Sequence, residues 1–327
     1  MKLAILGAGA WGTALAISLA GRHPSTLWGR NPAVMADMRA ARTNARYLPN
    51  HVLPPPLAVT ADLAEAVSDA ELALLAVPVA GLRETLQALV RCRPKMPLVW
   101  ACKGFDPESG FLPHQIVAET VPAGTHSGVL SGPSFAEEVA SGLPAAVTLA
   151  SLHPGFARDT ARALHGHRLR LYSSTDLVGV EIAGALKNVI AIAAGLSDEL
   201  GLGLNARAAL VTRGLAEIAR LGVALGGRSE TFMGLSGLGD LVLTCTGALS
   251  RNYRVGQGLA RGNGLSDVLD SLGHVAEGVT SAASAAALAR HHQVEMPITE
   301  AVRAVLEGTV SVHEAVELLL SREPRSE

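Results

Sequence analysis

The stretch KLAILGAGAWGTALA, residues Lys2 to Ala16, decides the fold: an apolar run, Leu3 to Leu6, passes straight into Gly7, Gly9 and Gly12 at G-x-G-x-x-G spacing. Leu3 to Leu6 read as a strand and Thr13 to Ala20 as an uninterrupted helix. In that setting each glycine has its own task. Gly7 makes the tight turn, Gly9 lets a pyrophosphate approach bare backbone, and Gly12 brings the helix close to the strand. The phosphates then meet unpaired N–H groups at the helix start. The same opening, Met1-Lys2 before an uncharged stretch to Gly21, imitates a secretory signal. Three glycines within six residues argue against that, because each costs an apolar helix about 1 kcal/mol relative to alanine.

Working outward, apolar runs with strand character alternate with helical stretches through the first half of the chain. The expected strands are Leu3 to Leu6, Thr26 to Trp28, Leu72 to Val77, Leu98 to Cys102, Gly128 to Leu130 and Ala145 to Leu149. Between them lie helical pieces at Asn31 to Ala41, Ala61 to Val67, Leu82 to Val90 and Phe135 to Ala140. Pro49 and Pro54-Pro55-Pro56 mark a loop before Leu57 to Val59, a short strand or extended connection. This is the alternation of a doubly wound α/β domain of Rossmann type with a parallel sheet. From Leu177 onward it stops. Long helical segments follow at Val178 to Gly195, Asn205 to Leu221, Val268 to Leu272, Ser281 to His291, Ile298 to Leu306 and Val312 to Leu320, with no second sheet in view. The expected organisation is a dinucleotide-binding domain over residues 1–178 and an all-helical substrate domain over 179–327, with Arg322 to Glu327 a frayed polar end.

Composition narrows the function. Of 327 residues 49% are hydrophobic and 17% charged, with net charge −2, which is enough apolar material for two cores. Nucleic acid is not an expected partner, because the 27 basic residues are scattered and matched by 29 acidic ones. Cys92, Cys102 and Cys245 are odd in number and widely spaced, which argues for no disulfide framework and no zinc site, and for a reducing, cytoplasmic setting. Leu177 to Leu196 is apolar enough to resemble a membrane span, but Glu181, Lys187 and Asn188 interrupt its middle, so it reads as a buried core helix and no integral membrane segment is expected. His165-Gly166-His167 and His291-His292 lack further spaced ligands, and no metal is expected.

In an open parallel sheet ligands bind beyond the carboxyl ends of the strands, which singles out polar residues placed there. Lys103-Gly104 follows one strand; Ser131-Gly132-Pro133-Ser134 follows another. Locally, Lys103 is equally a solvated strand-end lysine and Ser134 equally a capping box with Glu137. At the end of the second strand stands Arg30, where this fold ordinarily places an acidic residue for the ribose 2′-hydroxyl; an arginine there pairs with a 2′-phosphate, so NADPH is an expected cofactor, and the alternative is a simple surface arginine. Lys187, inside ALKNVIAIAAG, is the leading catalytic candidate. A desolvated ammonium passes a proton near neutral pH, as carbonyl reduction requires; the alternatives are a lysine snorkelling from a helix flank and a structural ion pair with Glu181 or Asp240. Gly234-Leu235-Ser236-Gly237-Leu238-Gly239-Asp240 delivers a carboxylate that orients Lys187 or merely caps a helix. Ser250-Arg251-Asn252 opens a helix with a hydroxyl, a guanidinium and an amide suited to a phosphate, or is an ordinary cap. Glu277-Gly278 precedes a helix expected to begin near Thr280, with a turn or cap as its default role.

Taken together, GAGAWGTALA, NARYLP at Asn44 to Pro49, ACKG at Ala101 to Gly104, LSGPSFAEEV at Leu130 to Val139, ALKNV at Ala185 to Val189, GLSGLGDL at Gly234 to Leu241 and SRN at Ser250 resemble the bacterial NAD(P)-dependent glycerol-3-phosphate dehydrogenases. The resemblance runs over nearly the whole chain. It implies NADH- or NADPH-dependent reduction of dihydroxyacetone phosphate to sn-glycerol 3-phosphate, the backbone of glycerophospholipids. It implies Lys187 as the proton-transfer residue, Lys103 in contact with substrate and cofactor, and Asp240 and Asn188 in support of the lysine. Gly132, Ser134, Ser250, Arg251 and Asn252 match substrate contacts; Gly7, Gly9, Ala10, Trp11, Gly12, Arg30, Lys103, Ala136, Arg251, Val275 and Glu277 match the cofactor side. Ala10 and Cys102 depart from the serine and threonine common in the family. Two other readings fit the fold, a two-domain 2-keto or 3-hydroxy acid reductase and a non-catalytic nucleotide sensor, and a homodimer is left open.

Overall fold

A computed structural model of the chain describes residues 1–273 and 275–322, so most of the polar end at 323–327 lies outside the described residues. The chain divides into two compact units, Met1–Leu177 and Val178–Glu327.

In the first unit, β1 (Leu3–Leu6), β2 (Ser25–Trp28), β5 (Ala58–Thr60), β6 (Leu72–Leu75), β7 (Leu98–Trp100), β8 (Ser127–Ser131), β9 (Ala145–Ala150) and β10 (Leu169–Ser174) form one sheet in the order β10-β9-β8-β7-β6-β1-β2-β5. The small pair β3 (Thr43–Asn44) and β4 (Leu48–Val52) stands apart as an antiparallel hairpin. The helices are α1 (Ala10–Ala20), α2 (Pro32–Ala41), α3 (Leu63–Val67), α4 (Leu82–Cys92), α5 (Pro113–Thr120), α6 (Ala136–Ala140) and α7 (Pro154–Leu164), and a short 3₁₀ turn, Val79–Gly81, leads into α4. β1 and β6 are buried along their whole length, as continuous apolar strands covered on both faces must be. Leu3, Ile5, Leu15, Leu19, Leu27, Leu72, Leu74 and Val99 join one core, each apolar side chain contributing about 2 kcal/mol by leaving water.

Three expectations change. The sheet is mixed: β8 and β9 pair antiparallel. The helix between them, α6, has five residues and spans about 7.5 Å, too little to carry the chain back along a five-residue strand of about 17 Å. The chain therefore returns in the opposite sense, and β10 follows parallel to β9. β10 was not expected, although Leu169 and Leu171 are buried and alternate with exposed Arg170 and Tyr172. Pro49 does not mark a plain loop; it sits in β4, where a two-stranded hairpin tolerates a residue without an N–H.

The second unit is helical among the described residues: α8 (Leu177–Glu199), α9 (Gly203–Ala224), α10 (Ser229–Phe232), α11 (Asp240–Thr246), α12 (Arg251–Ala260), α13 (Leu265–Leu272), α14 (Glu277–His291), α15 (Pro297–Leu306) and α16 (Val312–Leu320), with a π-helical turn at Leu235–Gly239. Among the described residues, α8 is by itself long and apolar enough to cross a membrane, and 94% of its apolar window is buried inside the protein, as expected of a core helix. Small residues let other helices reach its backbone. A Cβ on Gly195 would collide with the Tyr253 carbonyl oxygen, and one on Gly256 with that of Ile192, so α8 and α12 meet backbone to backbone.

Candidate functional site

The glycine turn separates its three residues by what surrounds them. Gly7 has φ +119°, and a Cβ there would fall 2.7 Å from the Ala76 carbonyl at the end of β6. A Cβ on Gly12 would overlap the Gly7 carbonyl oxygen. Around Gly9 a Cβ would meet nothing within 4 Å. Packing of the chain therefore explains the first and third glycines and leaves the second open toward the outside. Gly9 is also the N-cap of α1 without a side-chain cap bond, and the first turn of α1 carries no acidic residue. That open, donor-rich surface fits a dinucleotide pyrophosphate.

Residues from other segments frame this turn. Ala10, Trp11 and Ala136 pack together around Ala14, Leu48 and Val139, so α1, α6 and the β3–β4 hairpin share one apolar contact. Asn44, almost fully buried, donates from Nδ2 to the Ala8 carbonyl at 3.0 Å and to Thr13 Oγ1 at 2.8 Å, while its Oδ1 accepts from Tyr47 N. The hairpin is thereby tied to the glycine turn at one end. At the other, His51 Nε2 lies 3.3 Å from the Glu137 carboxylate of α6. Asn44 lay inside a quoted motif, yet no spacing rule marked it as a brace.

At the neighbouring strand ends, Arg30 is exposed and forms an ion pair with Glu84, while Asn31 caps α2 by accepting from Ala33 N and Val34 N. Lys103 follows β7. Behind it a small closed loop forms, in which the buried Asp106 carboxylate accepts from Ser109 N at 3.1 Å and Ser109 Oγ at 2.6 Å. After β8, Ser134 Oγ donates to the Gly132 carbonyl at 2.9 Å; the capping box with Glu137 does not form, because Phe135 is the N-cap of α6. β8, β7, β6, β1 and β2 are parallel neighbours, so Gly132, Ser134, Lys103, the glycine turn and Arg30 all stand at the carboxyl ends of one continuous row. A surface depression lined by His126, His153 and Phe156 sits before the amino end of β8, away from this row.

In the second unit the buried lysine has a partner. Lys187 Nζ donates to the Asp240 carboxylate, and the two residues are 8% and 1% exposed, so each supplies the opposite charge that burial of the other demands. Asp240 is not a helix cap; Gly239 holds that place, and Asp240 is the first residue of α11. One π-helical turn delivers it, and a Cβ on Gly237 within that turn would strike the Phe232 carbonyl. Such wide turns commonly mark functional sites. Burial pushes the nearby Cys245 thiol up to about 12, which keeps it neutral.

Around α8 the remaining candidates converge. Ser250 caps α12 by accepting from Tyr253 N, and Arg251 beside it is exposed. Asn252, buried, accepts from Gly278 N at 2.9 Å. A Cβ on Gly278 would lie 2.6 Å from the Asn188 carbonyl oxygen and 2.8 Å from Asn252 Oδ1. Gly278 is thus packed against both Asn188 and Asn252. Helix α14 begins at Glu277, not near Thr280, which puts Glu277 and Gly278 in its first turn, while Val275 is exposed. Both ends of α12 are held from behind: near its start Tyr253 Oη donates to Asp198 at 2.6 Å and Arg207 to the same carboxylate at 2.7 Å, and at its end Arg261 grips Glu199 with two bonds of 2.8 Å. Burial and then the Asp198 bond push the Tyr253 phenol up to about 12, so it remains a donor. Asp198, Tyr253 and Gly278 were not singled out as site residues, because their roles are contacts between segments far apart in sequence.

The two units match two halves of one family. The model of the NAD-dependent glycerol-3-phosphate dehydrogenase N-terminus matches residues 2–157, and that of the C-terminus matches residues 176–317. The chain belongs to this glycerol-3-phosphate dehydrogenase family. It is 60% identical over 327 residues to glycerol-3-phosphate dehydrogenase (NAD(P)+) of Thiobacillus denitrificans, covering all of both chains. It is 56% identical to the enzyme of the same name from Dechloromonas aromatica, covering all of this chain and 99% of that one. The crystal structure of glycerol-3-phosphate dehydrogenase from Coxiella burnetii superposes with a TM-score of 0.93 at 42% identity, covering 98% of this chain and 99% of that one. Family membership makes the chain an NAD(P)-dependent oxidoreductase.

Proposed function

We propose that this chain reduces dihydroxyacetone phosphate to sn-glycerol 3-phosphate, reversibly, with NADPH or NADH, and so supplies the backbone of glycerophospholipids. The observation that carries the chemical reading is the buried Lys187–Asp240 pair on α8 and α11, in the unit that also presents Arg251 at the start of α12. Gly7, Gly9, Gly12 and the first turn of α1 would hold the cofactor, with Ala10, Trp11, Ala136 and Arg30 around it. Bound NAD(P)H supplies a hydride to the carbonyl carbon. Lys187 holds the proton that the carbonyl oxygen needs as negative charge grows there, and the Asp240 carboxylate keeps the ammonium in place. Arg251, Ser250 and Asn252 at the start of α12 hold the substrate phosphate, where a guanidinium fork and free N–H groups favour a dianion. Lys103, Gly132 and Ser134 contact the substrate from the strand ends, and Val275 and Glu277 border the cofactor. We place this activity in the cytoplasm, apart from nucleic acid.

A spectrophotometric assay of NADPH loss tests the reading. Dihydroxyacetone phosphate should be turned over, and dihydroxyacetone without its phosphate should be used far more slowly. Equal rates with both, or faster turnover of a 2-oxo acid, would refute it.

A further inference from the structure

Two residues after β2 of the first unit stands a cation, Arg30. The carboxylate ordinarily found there, which accepts from the ribose 2′-hydroxyl, is missing from the segment after β2, where Trp28-Gly29-Arg30 stands instead. A carboxylate nevertheless reaches the same place from another segment. Glu84 Oε2 lies 3.3 Å from the Arg30 guanidinium, although 54 residues separate them in the chain. The sheet order β6-β1-β2 explains how. β6 and β2 flank β1 on either side, all three parallel, so the segments that leave their carboxyl ends bracket the glycine turn that leaves β1. Arg30 comes from the β2 side, and Glu84, in the first turn of α4, from the β6 side.

Both side chains are largely exposed, at 81% and 71%, so neither is fixed by packing. As a charge in the first turn of α4, Glu84 already has a helix-dipole role. That role does not require Arg30. We propose that Glu84 is a specificity-determining residue for the cofactor, which together with Arg30 forms a two-way reader of the ribose 2′ position. The inference rests on the reading of Arg30 as the residue beside that ribose. With NADH, the 2′-hydroxyl donates to the Glu84 carboxylate. With NADPH, the 2′-phosphate takes over the guanidinium, and Glu84 opposes it twice, by competing for Arg30 and by like-charge repulsion. The pair thus holds the two cofactors closer in affinity than Arg30 alone would.

The test is the dissociation constants of NADPH and NADH, read from nicotinamide fluorescence of the wild type, Glu84→Gln and Arg30→Gln. Glutamine preserves the shape of the α4 first turn while removing the charge. Glu84→Gln should raise the preference for NADPH over NADH about fivefold, the scale of an exposed charge pair, and Arg30→Gln should lower it. A residue that only supports α4 would shift the melting temperature and leave the preference unchanged. If Arg30→Gln weakens NADPH while Glu84→Gln leaves the preference alone, the proposal fails and the Arg30 reading stands. If Arg30→Gln changes neither affinity, the Arg30 reading fails and takes the proposal with it.

Discussion

The glycine turn of the first unit and the surroundings of Lys187 in the second are built on opposite principles. In the turn, side chains are removed: Gly7 and Gly12 are forced by backbone contacts, and Gly9 leaves open space. Around Lys187, charged side chains are buried, and each is answered by a partner, as Asp240 answers the lysine. A ligand phosphate needs only bare donors, which a short local motif provides. A buried ammonium needs an opposite charge held beside it, which takes both α8 and the π-helical turn that delivers Asp240. The comparison also shows glycine in two different settings, since open space surrounds Gly9 while Gly278 clears room for Asn188 and Asn252 within the chain.

The sharpest way to separate the two regions is to delete the buried charge. Lys187→Ala should lower kcat by roughly three powers of ten while NADPH still binds, because general acid catalysis is lost and the glycine turn is untouched. Near-wild-type turnover, measured in steady state, would remove Lys187 from the chemistry. Gly12→Ala acts on the other region. Its Cβ overlaps the Gly7 carbonyl, so α1 must move away from β1, costing about 3 kcal/mol of stability and weakening NADPH binding. Denaturant unfolding and fluorescence titration check both parts.

Gly278→Ala sharpens the contrast within the second unit. A methyl group 2.6 Å from the Asn188 carbonyl displaces the start of α14 and strains the bond from Gly278 N to Asn252, so KM for dihydroxyacetone phosphate should rise about tenfold, the equivalent of one such hydrogen bond. An unchanged KM would show that Asn252 does not depend on this contact.

The smallest effect concerns a buried charge that serves structure alone. Glu217 of α9 accepts from Ile298 N at 2.6 Å, Thr299 N at 3.1 Å and Thr299 Oγ1 at 3.1 Å, and so caps α15. Burial outweighs these bonds and holds its carboxyl above the usual carboxylate range. The folded state therefore keeps the proton after the unfolded state has lost it. Stability from this group is fully present below the ordinary glutamate value and declines as pH rises through the raised one. Urea midpoints measured across that window should fall with pH in the wild type and fall less in Glu217→Gln.

Several candidate residues of each unit were legible from the sequence because their signals are local. Gly7, Gly9 and Gly12 lie within six residues of one another, and Lys187 is conspicuous as a cation inside an apolar helix. Ser134 and Asp240 were ambiguous for the opposite reason. A hydroxyl or carboxylate near a helix start looks like a cap whether or not it caps, and in the folded chain Ser134 bonds to Gly132 and Asp240 to Lys187.

A dinucleotide-type α/β unit followed by helices can be read from neighbouring residues alone, because hydrophobic period and glycine spacing are local properties. Folding in space sets which partners the isolated polar residues take: Asn44 at the glycine turn, Glu84 at Arg30, Asp198 at Tyr253, and Gly278 between two asparagines. It also decided the reversed direction of β9. Such contacts depend on side chains brought together across tens of residues, and no local pattern records a distance in space.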